Sequence, residues 1–132
     1  EEARIGLQRY IFVSEQVMKS GGESTLHIDS VSVGRAKEGL NNTASHFRKD
    51  GTVLTGRIVS EQFQVHEMNL SKKDPNESSI SACLPGDNWG ARESGQDVSE
   101  VNYEEEFRMI WTLEKHGTSW KVSVQEFYSE DC

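Results

Sequence analysis

The chain has 132 residues, a formal net charge of −8 and a hydrophobic fraction of 34%. This length is typical of one globular domain, so we predict a single domain over residues 1–132. The negative charge would repel nucleic acid and anionic membrane surfaces, and no apolar run approaches the about 20 residues of a membrane-spanning helix. The composition therefore argues against nucleic acid as a partner and against a membrane span within this sequence.

An amphipathic helix is predicted over residues 3–19. Leu7, Tyr10 and Val17 recur on one face at helical spacing. Gly21 is followed by a second glycine, and such a pair supplies the left-handed backbone that ends a helix. The segment therefore predicts a first helix with one buried face and a sharp end.

Two further helices are predicted before residue 52. Ser24 is a candidate N-cap for a short second helix. From Val33 to Lys49, alanine, leucine, threonine and phenylalanine side chains recur on one helical face, and Gly51 closes the segment. The first part of the chain is thus predicted to be helical.

The pattern changes to that of β-strands after residue 56. Residues 57–70 are rich in β-forming side chains and predict a long strand. A polar stretch over 71–78 predicts a hairpin loop, and residues 79–84 predict the returning strand. Trp89 is a candidate to resume that strand after a break at the proline and glycine that follow residue 84.

A second hairpin is predicted near the end of the sequence. Residues 107–113 and 120–127 alternate as strands do, with a turn over 115–118 between them. Helices followed by antiparallel strands are the α+β pattern, in which the helices cover one face of a curved sheet. We therefore predict N-terminal helices packed on a curved antiparallel sheet.

The two cysteines, Cys83 and Cys132, have no metal-ligand spacing. The alternatives are a disulfide bond and two free thiols, and an exposed terminal thiol outside a cell would favour the bond. Closing a loop of about 50 residues would stabilise the fold by about 4 kcal/mol in the chain-entropy account. Cys83 has the opposite parity from Ile80, Ala82 and Leu84, so its sulfur is expected on the other sheet face unless a β-bulge resets the alternation.

These landmarks, taken in order, resemble a known family. A tyrosine-containing helix precedes Gly21-Gly22, one strand ends in Ala82-Cys83-Leu84, and Gly117-Thr-Ser-Trp120-Lys-Val122 leads to Cys132. The chain resembles small exported actinobacterial proteins with the nuclear-transport-factor-2-like, or cystatin-like cone, fold. The resemblance implies a helix-lined cone, a bridge between the two cysteines, and a signal or lipid-anchor segment removed upstream. A first residue of Glu1 and not methionine agrees with that expectation.

Tyr10, His66 and Glu126 are the candidate catalytic residues. Some proteins with this fold use a carboxylate together with a tyrosine or histidine for proton transfer next to a carbonyl. Glu126 has the parity of Trp120 and Val124, which would turn it towards such a pocket. The structural alternative is that Tyr10 only packs, His66 faces solvent and Glu126 lies near a fraying end.

Trp89 and the acidic run Glu104, Glu105 and Glu106 are the candidate partner surface. An exposed aromatic side chain can mark a site of interaction, whereas an acidic run is otherwise a solvated surface. The four histidines have no spacing that suits a metal ion, and no phosphate-binding loop is present. We therefore predict no metal and no cofactor.

The function predicted from sequence is a non-catalytic binding or assembly module of the cell envelope, extracytoplasmic, and tied to a membrane only through a removed N-terminal anchor. It would hold a protein partner or a small apolar ligand. The alternative is a small pocket enzyme of the isomerase or dehydratase type. An inward carboxylate paired with Tyr10 or His66 would favour the enzyme, whereas a pocket filled by Phe, Met and Trp would favour the binding module.

Overall fold

Helices come first and strands follow in the computed structural model, which describes residues 2–56, 61–66, 76–84, 89–93 and 107–129. The helices are α1 (Glu2–Lys19), α2 (Ile28–Val31) and α3 (Gly34–Asp50). The strands are β1 (Thr52–Gly56), β2 (Glu61–His66), β3 (Glu77–Leu84), β4 (Trp89–Glu93), β5 (Phe107–His116) and β6 (Ser119–Ser129). The predicted α+β class, with N-terminal helices packed on a curved antiparallel sheet, is confirmed.

The ends of α1 and α3 follow from their glycines. Gly22 has φ 85°, and its N–H donates to the carbonyl oxygen of Val17 at 2.8 Å, which closes the last turn of α1. Gly51 has φ 67° and caps α3 in the same left-handed conformation. The prediction of a Ser24 N-cap is wrong: the Ser24 N–H donates to Ser20 Oγ at 2.8 Å, and α2 begins four residues later.

Four strands form the main antiparallel sheet, in the order β2-β3-β5-β6. The predicted antiparallel pairing within both hairpins, β2 with β3 and β5 with β6, is therefore confirmed. β3 begins at Glu77, inside the loop predicted over 71–78, and residues 67–75 lie outside the described residues. A separate two-stranded sheet pairs β1 with β4, from Thr52↔Glu93 to Gly56↔Trp89. The backbone at Trp89 thus does not resume β3 but begins a strand in another sheet. Sequence reasoning missed β1 because five residues directly after a glycine turn are too few to show alternation.

The core lies between the three helices and the inner face of the main sheet. Leu7 and Val17 of α1, Ile28 of α2 and Leu113 of β5 are at most 1% exposed. Burying side chains of this size contributes about 1.5–3 kcal/mol each and is the main force that joins the helices to the sheet. In the described residues, no helix is long and apolar enough to cross a membrane.

Two β-bulges interrupt the ladder between β5 and β6. Val122 pairs with Leu113, but Val124 pairs with Thr112, so Ser123 is an extra residue. Tyr128 is extra in the same way between the partners of Met109 and Arg108. Each bulge bends the strand and resets its alternation.

The prediction that Glu126 has the parity of Trp120 is wrong because of the bulge at Ser123. Trp120 and Val122 lie on the inner face, opposite Lys115 and Leu113. After the bulge, Gln125 lies opposite Trp111 on the inner face, whereas Glu126 lies opposite Ile110. Glu126 therefore does not share a face with Trp120, because one extra residue stands between them.

The outer face of β3 is polar and buried. The β3–β5 register runs from Glu77 to Leu84 without a shift, so Cys83 lies on the face opposite Ile80, as its parity predicted. Arg108 spans this face: Nη1 donates to Ser81 Oγ at 2.9 Å and Nη2 to Cys83 Sγ at 3.3 Å. Cys132 lies outside the described residues, so the bond between Cys83 and Cys132 stays a prediction.

Candidate functional site

A pocket of about 440 Å³ lies between α1, α3 and the inner face of the main sheet. Its apolar lining is Ile11, Met18, Ala36, Leu40, Leu84, Phe107, Met109, Trp111 and Val124. The other lining residues are Tyr10, Ser14, Arg35, Gly39, Thr43, Gln125 and Glu126. A cavity of this size, mostly apolar with a few polar groups, is typical of a ligand-binding site.

The helical walls of the pocket follow from helical periodicity. Tyr10, Ser14 and Met18 stand four residues apart and therefore lie on one face of α1. On α3, Gly39 lies next to Leu40 and leaves open space, because a Cβ atom on it would meet no atom within 4 Å. The α3 wall is thus recessed at Gly39, which enlarges the pocket.

The floor of the pocket is formed by alternate residues of β5. Phe107, Met109 and Trp111 stand two residues apart and share the inner face. Trp111 is 2% exposed, and its Nε1–H donates to Gln125 Oε1 at 3.0 Å. The Phe107 ring stacks on that of Phe127 with 6.3 Å between centroids. These contacts fix the orientation of the aromatic floor.

Tyr10 is the buried polar group of the α1 wall. Its side chain is 4% exposed, and burial raises the pKa of its phenol above the ordinary value of 10.0, against a smaller opposing effect of a hydrogen bond with Ser14. Ser14 Oγ also donates to the Tyr10 carbonyl oxygen at 2.8 Å. Tyr10 therefore remains a neutral phenol at physiological pH and can donate a hydrogen bond.

The structure does not join the predicted catalytic residues into a proton-transfer pair. Tyr10 and Glu126 both line the pocket, but Glu126 is exposed, and within the described residues no hydrogen bond links it to Tyr10. The backbone of His66 pairs with Ser79 in β2–β3, and the His66 side chain lies outside what the structure describes. In the part of the chain that the structure describes, Tyr10 and Glu126 border one pocket but are not joined by a hydrogen bond.

Arg35 is a pocket residue that sequence reasoning missed. It is the second residue of α3, is exposed, and lies at the pocket beside Ala36. The available signal was its neighbour Ala36, which belongs to the apolar face predicted for α3. The residue next to Ala36 in the helix borders the same pocket. Its guanidinium can donate hydrogen bonds to a polar or anionic group of a ligand at the rim.

The predicted partner surface falls mostly outside the described residues. Trp89 is described by its backbone in β4, and Glu104, Glu105 and Glu106 lie outside. Among the residues described, no group of three or more His, Cys, Asp or Glu side chains is placed to hold a metal ion. The partner surface and the metal prediction both stay predictions.

Comparison with known proteins gives structural neighbours. No protein-family model matches the sequence, and no curated protein matches it. The intermembrane space region of the chloroplast protein ARC6 superposes with a TM-score of 0.67 at 12% identity, covering 98% of each chain. Rv3472 of Mycobacterium tuberculosis, a protein of unknown function, superposes with a TM-score of 0.47 at 12% identity, covering 96% of this chain and 70% of its own. At these identities, the likeness to ARC6 shows a shared fold alone, and the score for Rv3472 is too low to carry an argument.

Proposed function

We propose that this protein is a non-catalytic binding module whose pocket holds an apolar ligand or an apolar segment of a protein partner. The pocket itself carries this proposal: about 440 Å³ of space with an aromatic floor and an aliphatic wall. Apolar surface removed from water would contribute about 25 cal/mol per Å² to binding. Tyr10 in the α1 wall and Arg35 at the rim would each hydrogen-bond a polar group of the ligand.

We propose binding and not proton transfer because of the charges at the pocket. A general acid or base must lie within hydrogen-bond reach of the substrate proton that it transfers, with a pKa suited to that transfer. Tyr10 is buried and neutral, whereas Glu126, which also borders the pocket, is exposed and makes no hydrogen bond to Tyr10 among the described residues. The pocket offers Tyr10 as one hydrogen-bonding group and no paired base among the described residues.

We also propose that the module works outside the cytoplasm, in a cell envelope or a compartment derived from one, and that it is a single cone-shaped domain of the nuclear-transport-factor-2-like type. The fold shared with the ARC6 domain over 98% of both chains supports the single-domain part of this proposal. A Cys83–Cys132 bond would suit an oxidising compartment. Retention by an N-terminal anchor belongs to the same proposal.

Gly39 offers a direct test of the pocket. The probe is 1-anilinonaphthalene-8-sulfonate, a dye whose fluorescence rises in apolar sites. Gly39→Trp would place an indole in the recess of α3, where a Cβ atom meets no neighbour within 4 Å. We expect the wild-type protein to bind the dye and Gly39→Trp to bind it at least about tenfold more weakly, since most of the apolar contact is lost.

Gly39→Ala is the matched control. It adds a Cβ atom at the same position and leaves the pocket open, so it should bind the dye as the wild type does. Circular dichroism would show that both variants keep the helical content of the wild type. Equal dye binding by Gly39→Trp and Gly39→Ala would contradict the proposed pocket function.

A further inference from the structure

The outer edge of β6 beyond Val122 is a feature that the pocket does not explain. β6 is the last strand of the main sheet in the described residues. Its start is covered, because the Val33 N–H donates to the Val122 carbonyl oxygen at 2.9 Å beside a parallel bridge from Ser32. Gly34, with φ 53°, then turns the chain away into α3. Past this point β6 has no neighbouring strand on its outer side within the described part of the chain.

The ladder shows which backbone groups this edge offers. The carbonyl of Val122 points outward, away from β5. The residue opposite it on β5, Leu113, therefore also directs its N–H and C=O groups away from β6, because the two residues form a pair without hydrogen bonds between them. Peptide groups alternate in direction along β5, and those of Trp111 and Met109 therefore also point away from β6. Their partners Gln125 and Phe127 must then present their own N–H and C=O groups to the outer edge.

The side chains along this edge are exposed on both faces. Phe127 is 59% exposed on the inner face. Gln125 and Glu126 are both exposed, and both border the pocket. An unpaired strand edge with exposed apolar side chains is a template for a strand from another chain.

We propose that an extended segment of a partner protein adds to the main sheet along Gln125–Phe127, placing an apolar side chain beside Phe127 and a Lys or Arg side chain beside Glu126. This deepens the proposed binding function, on which it rests, by naming the partner as an extended, basic and apolar peptide. Successive side chains of such a peptide point to opposite faces, so the peptide should alternate apolar and basic residues.

Charge favours this occupant over a second copy of the chain. The chain carries a formal net charge of −8, so two copies repel each other. Pairing β6 with its own copy would also bring the exposed Glu126 carboxylates to one edge, where like charges on neighbouring strands are destabilising. A cationic segment meets attraction at the same place.

Short random peptides displayed on phage are the probe for this edge. Selection on the wild-type protein should enrich sequences that alternate apolar residues with Lys or Arg, and synthetic copies of them should bind in solution. A homodimer formed through this edge would instead appear as a concentration-dependent doubling of mass in sedimentation. Absence of enrichment, enrichment of acidic peptides, or such a dimer would overturn the proposal.

Two substitutions at Phe127 separate backbone pairing from side-chain contact. Phe127→Pro removes the outward N–H together with the ring, and an edge position tolerates proline because that N–H is not part of the ladder with β5. Phe127→Ala removes the ring alone. We expect Phe127→Pro to weaken the selected peptides by about tenfold more than Phe127→Ala does. Equal effects of the two substitutions would overturn strand addition.

Glu126→Lys keeps the test decisive if the proline variant does not fold. It should weaken basic peptides by about fivefold, since it replaces an attractive cross-strand pair with a repulsive one. Glu38→Lys, at an exposed position of α3, makes the same change in net charge and should leave binding unchanged. Equal effects of the two substitutions would contradict a specific contact at Glu126.

Gly39→Trp distinguishes this proposal from the pocket proposal. That substitution fills the recess in α3 and leaves the N–H and C=O groups of Gln125 and Phe127 chemically unchanged. If peptides bind Gly39→Trp and wild type alike while the dye binds neither, the pocket function fails and the edge stands. If the dye binds the wild type and no peptide is selected, the edge fails and the pocket stands.

Discussion

Gly6 of α1 lies directly against Trp120 of β6: a Cβ atom on Gly6 would stand 2.6 Å from the Trp120 carbonyl oxygen and 2.7 Å from its Cβ atom. Both neighbours belong to positions that the strand holds in place, so neither can move aside alone. This close approach sets the distance between the first helix and the edge strand at this point.

Gly6→Ala should lower the free energy of unfolding by about 1–3 kcal/mol, as overpacking of a close contact does. The matched control is Gly39→Ala, also within a helix, where the new Cβ atom meets nothing within 4 Å. That control should raise stability by up to about 1 kcal/mol, because alanine favours the helix. Urea unfolding followed by circular dichroism measures both, and similar values for the two variants would contradict the close contact.

Gly22→Ala should destabilise the protein more than Gly117→Ala. Both glycines have positive φ, 85° and 65°, so both substitutions bring backbone strain of about 1 kcal/mol. A Cβ atom on Gly22 would also overlap the Ala44 carbonyl oxygen, whereas one on Gly117 has open space. Thermal unfolding of the two variants gives the comparison. A loss at Gly117 as large as that at Gly22 would mean that the α1–α3 contact contributes nothing.

Stability should fall at alkaline pH because of Tyr10. Its pKa in the folded state is raised by burial above the ordinary value of 10.0, so the folded state holds the phenol proton more tightly than the unfolded state does. The resulting stabilisation is fully present below that ordinary value and is lost as the pH rises through the folded-state pKa. Urea unfolding at a series of pH values from neutral upward should show a smaller alkaline decline in Tyr10→Phe. Identical declines in the two proteins would refute this account of Tyr10.

A disulfide bond between Cys83 and Cys132 remains a prediction. Titration of the denatured, unreduced protein should find no reactive thiol, and reduction should lower the free energy of unfolding by up to about 4 kcal/mol. Cys132→Ser should have the same effect as reduction. Cys83→Ala should cost more, because it also removes the atom that accepts a hydrogen bond from Arg108. Two reactive thiols per chain would rule the bond out.

Local patterns were sufficient to predict much of this fold. The face of α1 that carries Leu7 and Tyr10, the left-handed end of α3 at Gly51 and the β5–β6 hairpin all follow from periodicity and glycine chemistry. Tyr10 and Trp111 reach the pocket for the same reason, since each lies on the inner side of its element.

Non-local pairing and bulges set the limit of prediction. The pairing of β1 with β4 places Thr52 opposite Glu93, although the two residues are far apart in the chain. Neither short strand has a sequence pattern that identifies the strand with which it pairs. No sequence pattern predicts that Ser123 is an extra residue in the ladder. This residue nevertheless changes the parity of the strand, so that Glu126 and Trp120 are on different faces. The close contact between Gly6 and Trp120 could not be predicted either, because a glycine within a helix does not indicate which residue packs against it.

The indole N–H of Trp111 offers the most direct measurement of the central claim that the pocket binds apolar ligands. This N–H donates to Gln125 Oε1 in the pocket floor, whereas Trp120 is absent from the pocket lining. In ¹H–¹⁵N correlation spectra recorded during titration with 1-anilinonaphthalene-8-sulfonate, the Trp111 indole resonance should shift and saturate while that of Trp120 stays in place. A Trp111 resonance that does not move at saturating dye would contradict the account.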